Sequence, residues 1–213
     1  MARLIRRGAE ADIFLGRWLD EPAVFKVRTR RPYLHEELDK RMRAARTIHE
    51  AELLSASKSL GVTTPIVLHV DPKASTIVMQ YLEGPRLKEL LSGTQPSVEL
   101  CGVMGFHLAR LHLNNVVHGD PTTSNFILSG GRLAVVDFGL SHRSGAVEDL
   151  AVDLHLVKEV FHSAHSSLSR AALEAFREGY SQEGGSAFAE RIWRRVVDIE
   201  RRGRYARSDW SEE

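Results

Sequence analysis

The chain has 213 residues, 43% apolar and 27% charged, so it can bury a sizeable core and disorder is excluded for most of its length. A single cysteine, Cys101, excludes an intrachain disulfide framework and a cysteine-built zinc site, and points to a reducing, cytoplasmic compartment. Lysine plus arginine number 29 against 28 acids, a net charge of +1 that excludes nothing until its distribution is read.

The basic start lacks an apolar h-region, and no run of about 18 apolar residues occurs, so neither a signal peptide nor a membrane span is expected. Residues 4–7, 12–15 and 23–27 read as short strands broken by Gly8, Gly16 and a turn at Asp20-Glu21-Pro22. Residues 36–60 read as a helix stopped by Gly61, with Pro65 beyond it. Residues 66–70 and 76–82 form a hairpin across Asp71-Pro72-Lys73, and Glu83-Gly84-Pro85 ends the strand-rich part. Over residues 98–113, Leu100, Val103, Met104, Leu108 and Leu111 recur at helical spacing and predict a buried stripe, with Cys101 a packed thiol on it. A short hairpin, 126–128 with 133–136, turns at Ser129-Gly130-Gly131. Helices are expected over 148–161, 170–181 and 188–202, the last with Phe188, Ile192, Val196 and Ile199 on one face and arginines on the others. The fold class is therefore α+β and bilobal: a strand-rich N-lobe over 1–82, a hinge at 83–85, and a helical C-lobe over 86–213 whose basic tail is freed at Gly203.

Charge is concentrated in two windows. Residues 26–46 hold eight Lys or Arg against three acids, and residues 190–207 hold seven Arg against three. Each window reads either as a solvated helical face or as a surface for nucleic acid or another acidic partner. His155, His162 and His165 have no carboxylate or cysteine at a ligand spacing, so they read as ordinary surface or core histidines.

The centre of the chain carries the chemistry. His118-Gly119-Asp120 is followed by Asn125, and then by Asp137-Phe138-Gly139 across the short hairpin. Phosphoryl transfer from ATP needs these groups in this order. Asp120 orients the attacking hydroxyl or water and accepts its proton. Asp137 and the amide oxygen of Asn125 hold Mg²⁺, which prefers hard oxygen ligands. Upstream, Val24-Phe25-Lys26-Val27 resembles the kinase strand whose lysine meets the α and β phosphates. Glu50 is the expected partner of Lys26 on the following helix, with Glu52 as the alternative. In register with Lys26, residues 5–13 become the nucleotide lid, with Ile5 and Ile13 over the base and Gly8, Ala9 and Glu10 over the phosphates. Residues 79–84 read as the backbone that hydrogen-bonds adenine, through Gln80 and Leu82, with Met79 at the back of the pocket. Val24 and Ile127 would sandwich the purine; for Met79 and Ile127 plain core packing stays the other reading. No G-x-x-x-x-G-K-[ST] loop is present.

These motifs also carry a family likeness. With His118-Gly119-Asp120-Pro121-Thr122-Thr123-Ser124-Asn125, the DFG at 137–139, Gly8-Ala9-Glu10-Ala11-Asp12, the Arg46-Thr47 and Glu50-Ala51 pairs, and Glu148-Asp149-Leu150-Ala151-Val152-Asp153-Leu154, the chain resembles the small atypical kinase/ATPase subunit of the KEOPS complex. That family is a minimal relative of the RIO kinases, and the resemblance spans essentially the whole chain. It implies Ser/Thr protein kinase or ATPase activity with ATP and Mg²⁺, in support of threonylcarbamoylation of adenosine in tRNAs that read ANN codons. It implies a Kae-type threonylcarbamoyl-transferase subunit, a small activator subunit and tRNA as partners, and no membrane. Pro121 stands where the family has Leu, and Leu150 where it has Lys.

The residues agree with that likeness on their own terms. Sixteen positions separate Asp137 from Asp153, the aspartate expected to brace the catalytic loop, so no activation loop fits. The arginine that would read a loop phosphate is here Gly119, and the usual lysine two positions after Asp120 is Thr122. Two rivals remain at this point. The catalytic loop also resembles that of aminoglycoside and choline kinases, although little chain remains after the DFG for their extra acceptor-binding helices. A nucleotide-binding scaffold without turnover is the other, opposed by the joint presence of Asp120, Asn125 and Asp137.

Overall fold

The computed structural model describes residues 2–92 and 97–208, the last six of these as backbone only. Five strands, β1 (Arg3–Arg7), β2 (Ala11–Trp18), β3 (Glu21–Arg28), β4 (Val67–Asp71) and β5 (Thr76–Gln80), form an antiparallel sheet in the order β1-β2-β3-β5-β4. Helix α1 (Glu36–Ser59) packs on that sheet through Ala51 against Ile77 and Met79, while its Leu53 and Leu54 are sealed in the larger core, and Gly61 ends it at φ +83°.

The β2–β3 turn falls earlier than the sequence predicts. Leu19 and Asp20 both take positive φ, 48° and 63°, as a two-residue hairpin turn requires. Glu21 and Pro22 are already paired with Trp18 and Arg17. Pro22 is tolerated because β5 pairs with β3 only from Ala23 onward, so no partner waits for the missing N–H on that side. Nor does Gly16 break its strand: it lies opposite Ala23, where a Cβ would come within 2.9 Å of the Phe25 ring. Its role is close approach.

The second part of the chain holds α2 (Leu87–Leu91), α3 (Glu99–Leu113), β6 (Val116–Val117), β7 (Phe126–Ser129), β8 (Arg132–Val135), β9 (His142–Arg143), α4 (Val147–Ala164), α5 (Ser169–Gly184) and α6 (Ser186–Ser208). Strands β7 and β8 pair as the expected hairpin, whereas α2 and the β6–β9 pair are too short to leave a periodic signal. The core gathers Phe126, Phe138, Phe161, Phe176 and Tyr180 around Leu108 and Leu111.

The stripe of α3 is rotated from its predicted position. Cys101, Met104, Leu108 and Leu111 are sealed, while Leu100 is half-buried and Val103 is 38% exposed. Helix α5 causes this by meeting α3 backbone to backbone. A Cβ on Gly105 would lie 2.1 Å from the Phe176 carbonyl oxygen, and one on Gly179 would lie 1.9 Å from that of Gly102. Burial pushes the Cys101 thiol up to about 12, as expected of a packed thiol.

Helix α6 buries Ile192 and Val196 and runs on through Gly203 to Ser208, where a freed tail was expected. A lone glycine costs a helix only about 1 kcal/mol, too little to end one. Residues 209–213 lie outside the described residues. Among the described residues, no helix is long and apolar enough to cross a membrane.

Candidate active site

Strand β3 alternates its side chains, so Lys26 and Arg28 share one face of the sheet, the face turned to α1. The Lys26 ammonium, 7% exposed, lies 2.5 Å from Glu50 Oε1 and 2.6 Å from Asp137 Oδ1. Glu50 is 1% exposed, while Glu52 points to solvent from another face of α1. Arg28 donates to the second Glu50 oxygen at 2.5 Å. Sequence reading counted Arg28 among surface charges; the two-residue spacing from Lys26 on a strand was the signal that could have found it. Burial alone would lower the Lys26 pKa, but Glu50 and Asp137 beside it hold it above the usual lysine range.

Asp137 is reached by a backbone φ of +66°, a region that residues with a Cβ rarely occupy and that tends to mark functional turns. Burial would raise its carboxyl, yet Lys26 holds it below the usual range, and the Gly139 N–H donates to it at 3.2 Å.

The catalytic loop follows β6 and is braced from beneath. Asp153, fully buried on α4, accepts hydrogen bonds from the N–H groups of His118 (2.7 Å) and Gly119 (2.8 Å) and lies 3.1 Å from His112 Nε2. This is the place the sixteen-residue spacing gave it. Gly119 has φ +82°, and a Cβ there would sit 2.4 Å from the Leu140 carbonyl oxygen, so no arginine could stand at this position. The His118 ring is buried against Phe126 and Phe138, and burial holds its pKa below the usual histidine value, so it is neutral at pH 7.

Asp120 is half-buried at the mouth of this loop. The Asn125 side-chain amide donates to its carboxylate at 2.8 Å and to its carbonyl at 2.9 Å. Burial pushes the Asp120 carboxyl above the usual aspartate range, the charge on Asp137 adds to this, and the Asn125 hydrogen bond opposes it. The two aspartates are thus driven apart, one towards a permanent anion and the other towards a proton acceptor.

A cleft of about 240 Å³ is lined by Ile5, Ile13, Val24, Lys26, Glu50, Met79, Gln80, Leu82, Asn125, Ile127 and Asp137. An adjoining recess of about 190 Å³ is lined by Gly8, Ala9 and Glu10 with Ile13, Lys26, Asp120 and Asp137. Every residue expected from the sequence to meet nucleotide, metal or acceptor therefore lines one of two adjoining spaces, which share Ile13, Lys26 and Asp137. Arg6, Pro65 and Arg86 were not singled out, and they line the cleft too. At Gly8 a Cβ would come 2.7 Å from the Ala11 carbonyl oxygen, so the turn of the lid needs glycine there. The Glu10 carboxylate is engaged by Arg31 at 2.7 Å and Arg46 at 2.6 Å, with Arg28 at 3.6 Å.

The donor set suits Mg²⁺. With its nitrogen turned to Asp120, Asn125 keeps its amide oxygen for a cation, and the side chain of Asp137 keeps 44% of its surface open. No group of three or more His, Cys, Asp or Glu converges among the described residues. Two oxygen ligands with phosphates completing the shell is the usual arrangement for this ion.

Comparison with known proteins adds the following. Residues 16–168 match the ABC1 atypical kinase-like domain family. The chain is 38% identical to the KEOPS complex subunit Bud32 of Pyrococcus abyssi, over 98% of both chains. It is 36% identical, over 95% of its length, to a probable bifunctional tRNA threonylcarbamoyladenosine biosynthesis protein of Methanothermobacter thermautotrophicus, of which it spans 36%. The Rio2 kinase of Chaetomium thermophilum, solved with ADP/Mg²⁺ and phosphoaspartate, shares the fold over 94% of this chain and 70% of its own, with a TM-score of 0.60 at 15% identity.

Proposed function

The chain belongs to the KEOPS Bud32 family of atypical kinase-like proteins, and from that premise we propose that it transfers the terminal phosphoryl group of ATP within a tRNA-modification complex. The observation that carries the reading is the Lys26–Glu50–Asp137 ion cluster, facing the same space as Asp120 and Asn125.

In this reading Ile5, Ile13, Val24, Met79 and Ile127 enclose the purine, and the backbone at Gln80 and Leu82 pairs with its edge. The turn at Gly8, Ala9 and Glu10 covers the phosphates. Lys26, aimed by Glu50, holds the α and β phosphates. Asn125 and Asp137 would hold Mg²⁺, which when bound neutralises charge on the transferring group. Asp120 takes the proton of the attacking oxygen as that oxygen bonds to phosphorus and ADP departs. Its raised pKa suits a proton acceptor. Residues 83–85 are the hinge between an N-lobe over 1–82 and a C-lobe over 86–213, and Gly84 there lies so close to the β7–β8 hairpin that a Cβ would meet the Leu128 carbonyl oxygen at 1.9 Å. Helices α4, α5 and α6 occupy most of the described chain from residue 147 onward, and each contributes to the larger hydrophobic core. None stands apart to bind a small acceptor as an aminoglycoside or choline kinase needs.

The partners in this reading are a Kae-type threonylcarbamoyl-transferase subunit, a small activator subunit and tRNA, and the compartment is the cytoplasm. The test follows ATP consumption by the chain alone, then with those subunits, then with tRNA added. Turnover that needs Mg²⁺ and rises on assembly is expected, and none under any condition would overturn the reading. Removing residues 203–213 should weaken tRNA binding across a salt series and leave ATP binding unchanged.

A further inference from the structure

Arg28 is the buried charge that the chemistry above leaves unused. It is 4% exposed, its Nε has no hydrogen-bond partner, and burying a guanidinium is costly unless its other groups are well paired. One side of its fork donates to Glu50 Oε2 at 2.5 Å, and the other lies at ion-pair distance, 3.6 Å, from Glu10 Oε2. Glu50 is thereby gripped on both oxygens, by Lys26 on one and Arg28 on the other. From Glu10 the chain of contacts continues. Arg46 on α1 binds both Glu10 oxygens and donates to the Gly139 carbonyl at 3.2 Å, and His49 Nε2 lies 3.2 Å from the Ser141 carbonyl. The lid turn, β3, α1 and the segment after Asp137 are joined in one polar network.

In kinases with an activation loop, phosphorylation of that loop controls the lysine–glutamate pair and the metal-binding aspartate. Here β9 and the start of α4 take up the stretch where such a loop would lie. Resting on the phosphoryl-transfer reading, we propose that Arg28 is the positioning residue that fixes Glu50 and that, through Glu10, it ties the lid turn to the same carboxylate. A glutamate held by Lys26 alone moves with α1 and competes with nucleotide phosphates for the single ammonium group. A planar, permanently charged guanidinium on the second oxygen anchors Glu50 and leaves Lys26 available to the phosphates.

The full chain carrying Arg28→Met, Arg28→Lys or Glu10→Gln is compared with wild type for ATP turnover, for affinity towards ATP and towards adenosine, and for melting temperature. Arg28→Met should cut turnover about 100-fold and weaken ATP about 10-fold while adenosine binds as before, because only the phosphates meet Lys26. Arg28→Lys keeps a charge beside Glu50 but loses the fork that also reaches Glu10, so it should recover part of the lost rate and stay about 10-fold below wild type. Glu10→Gln removes a part-exposed carboxylate and should cost about 5-fold in turnover with the fold retained. Wild-type turnover in Arg28→Met and Glu10→Gln, or equal loss of ATP and adenosine affinity in Arg28→Met, would overturn the assignment. If Arg28→Met does not fold, wild-type rates in both Arg28→Lys and Glu10→Gln overturn it instead. A wild-type chain without turnover sinks the phosphoryl-transfer reading, and the ATP-to-adenosine affinity ratio still judges Arg28.

Discussion

The two arginine-rich windows look alike in sequence and differ in how much of their charge is buried. In residues 26–46 five of the eight cations turn inward, Lys26 and Arg28 on Glu50, Arg31 and Arg46 on Glu10 and Arg43 on Asp39, while Arg30, Lys40 and Arg41 face solvent. In the C-terminal window they turn outward along α6. Arg195 and Arg202 reach Glu148 at the start of α4, Arg194 pairs with Glu190 one turn away, and Arg191 lies over the Phe188 ring. An arginine count therefore says little about a surface. What matters is how deeply the answering carboxylate is buried: Glu50 and Asp39 are each 1% exposed, whereas Glu148, which answers the C-terminal window, is 41% exposed on its side chain.

The comparison breaks first at Lys26 and Asp137. Alanine at either should lower ATP turnover by at least about 1,000-fold with circular dichroism unchanged, whereas Arg194→Ala should leave the rate at wild type. Near-normal turnover in the alanine variants would make the inward charges a packing device only.

Next comes Asp120. Asparagine there should cost about 10²–10⁴ in rate with little loss of ATP affinity. The sign of its pH dependence follows from the raised carboxyl. As a base it works only when deprotonated, so turnover should fall as pH drops through a value above the ordinary aspartate pKa of about 3.9. An acid limb at or below that value would mean that burial and Asp137 do not act on this group in solution.

The smallest effect belongs to α6. Its pairs are part-exposed and screened by salt, so Arg195→Ala should lower the melting temperature by no more than about 2 °C at low ionic strength, and less in high salt. A larger, salt-independent drop would show that the outward window is as structural as the inward one.

The site was legible because phosphoryl transfer fixes both residue types and spacing. Lys26, Glu50, Asp120, Asn125 and Asp137 follow one another in the order that the proposed chemistry needs, and helical face favoured Glu50 while Glu52 stayed open until the structure showed it exposed. Arg28 and Glu10 were not legible as a pair, since nothing local in either stretch says that the lid turn folds onto β3. The rotation of α3 escaped for a related reason. Hydrophobic periodicity reports Leu100 and Val103, but Gly102 and Gly105 carry no hydropathy signal, and they set which face α5 approaches. The turn at Leu19 and Asp20 was missed because leucine rarely accepts positive φ, so neighbouring Pro22 drew the assignment instead.

The glycine seam between α3 and α5 also bears on how the molecule is made. Its two sides lie roughly 70 residues apart, and the catalytic loop, the β7–β8 hairpin and Asp137 all fall inside the loop that the seam closes. Closing so long a loop is slow compared with forming either helix alone. On the ribosome, the loop of Asp120 emerges well before α5 exists to back α3. The residues of the ion cluster around Lys26 all lie within the first 140, while the brace beneath the loop of Asp120 must wait for Asp153 and the seam for Gly179. The last contact of that seam is thus made late in synthesis, at a residue with no side chain and no chemistry of its own.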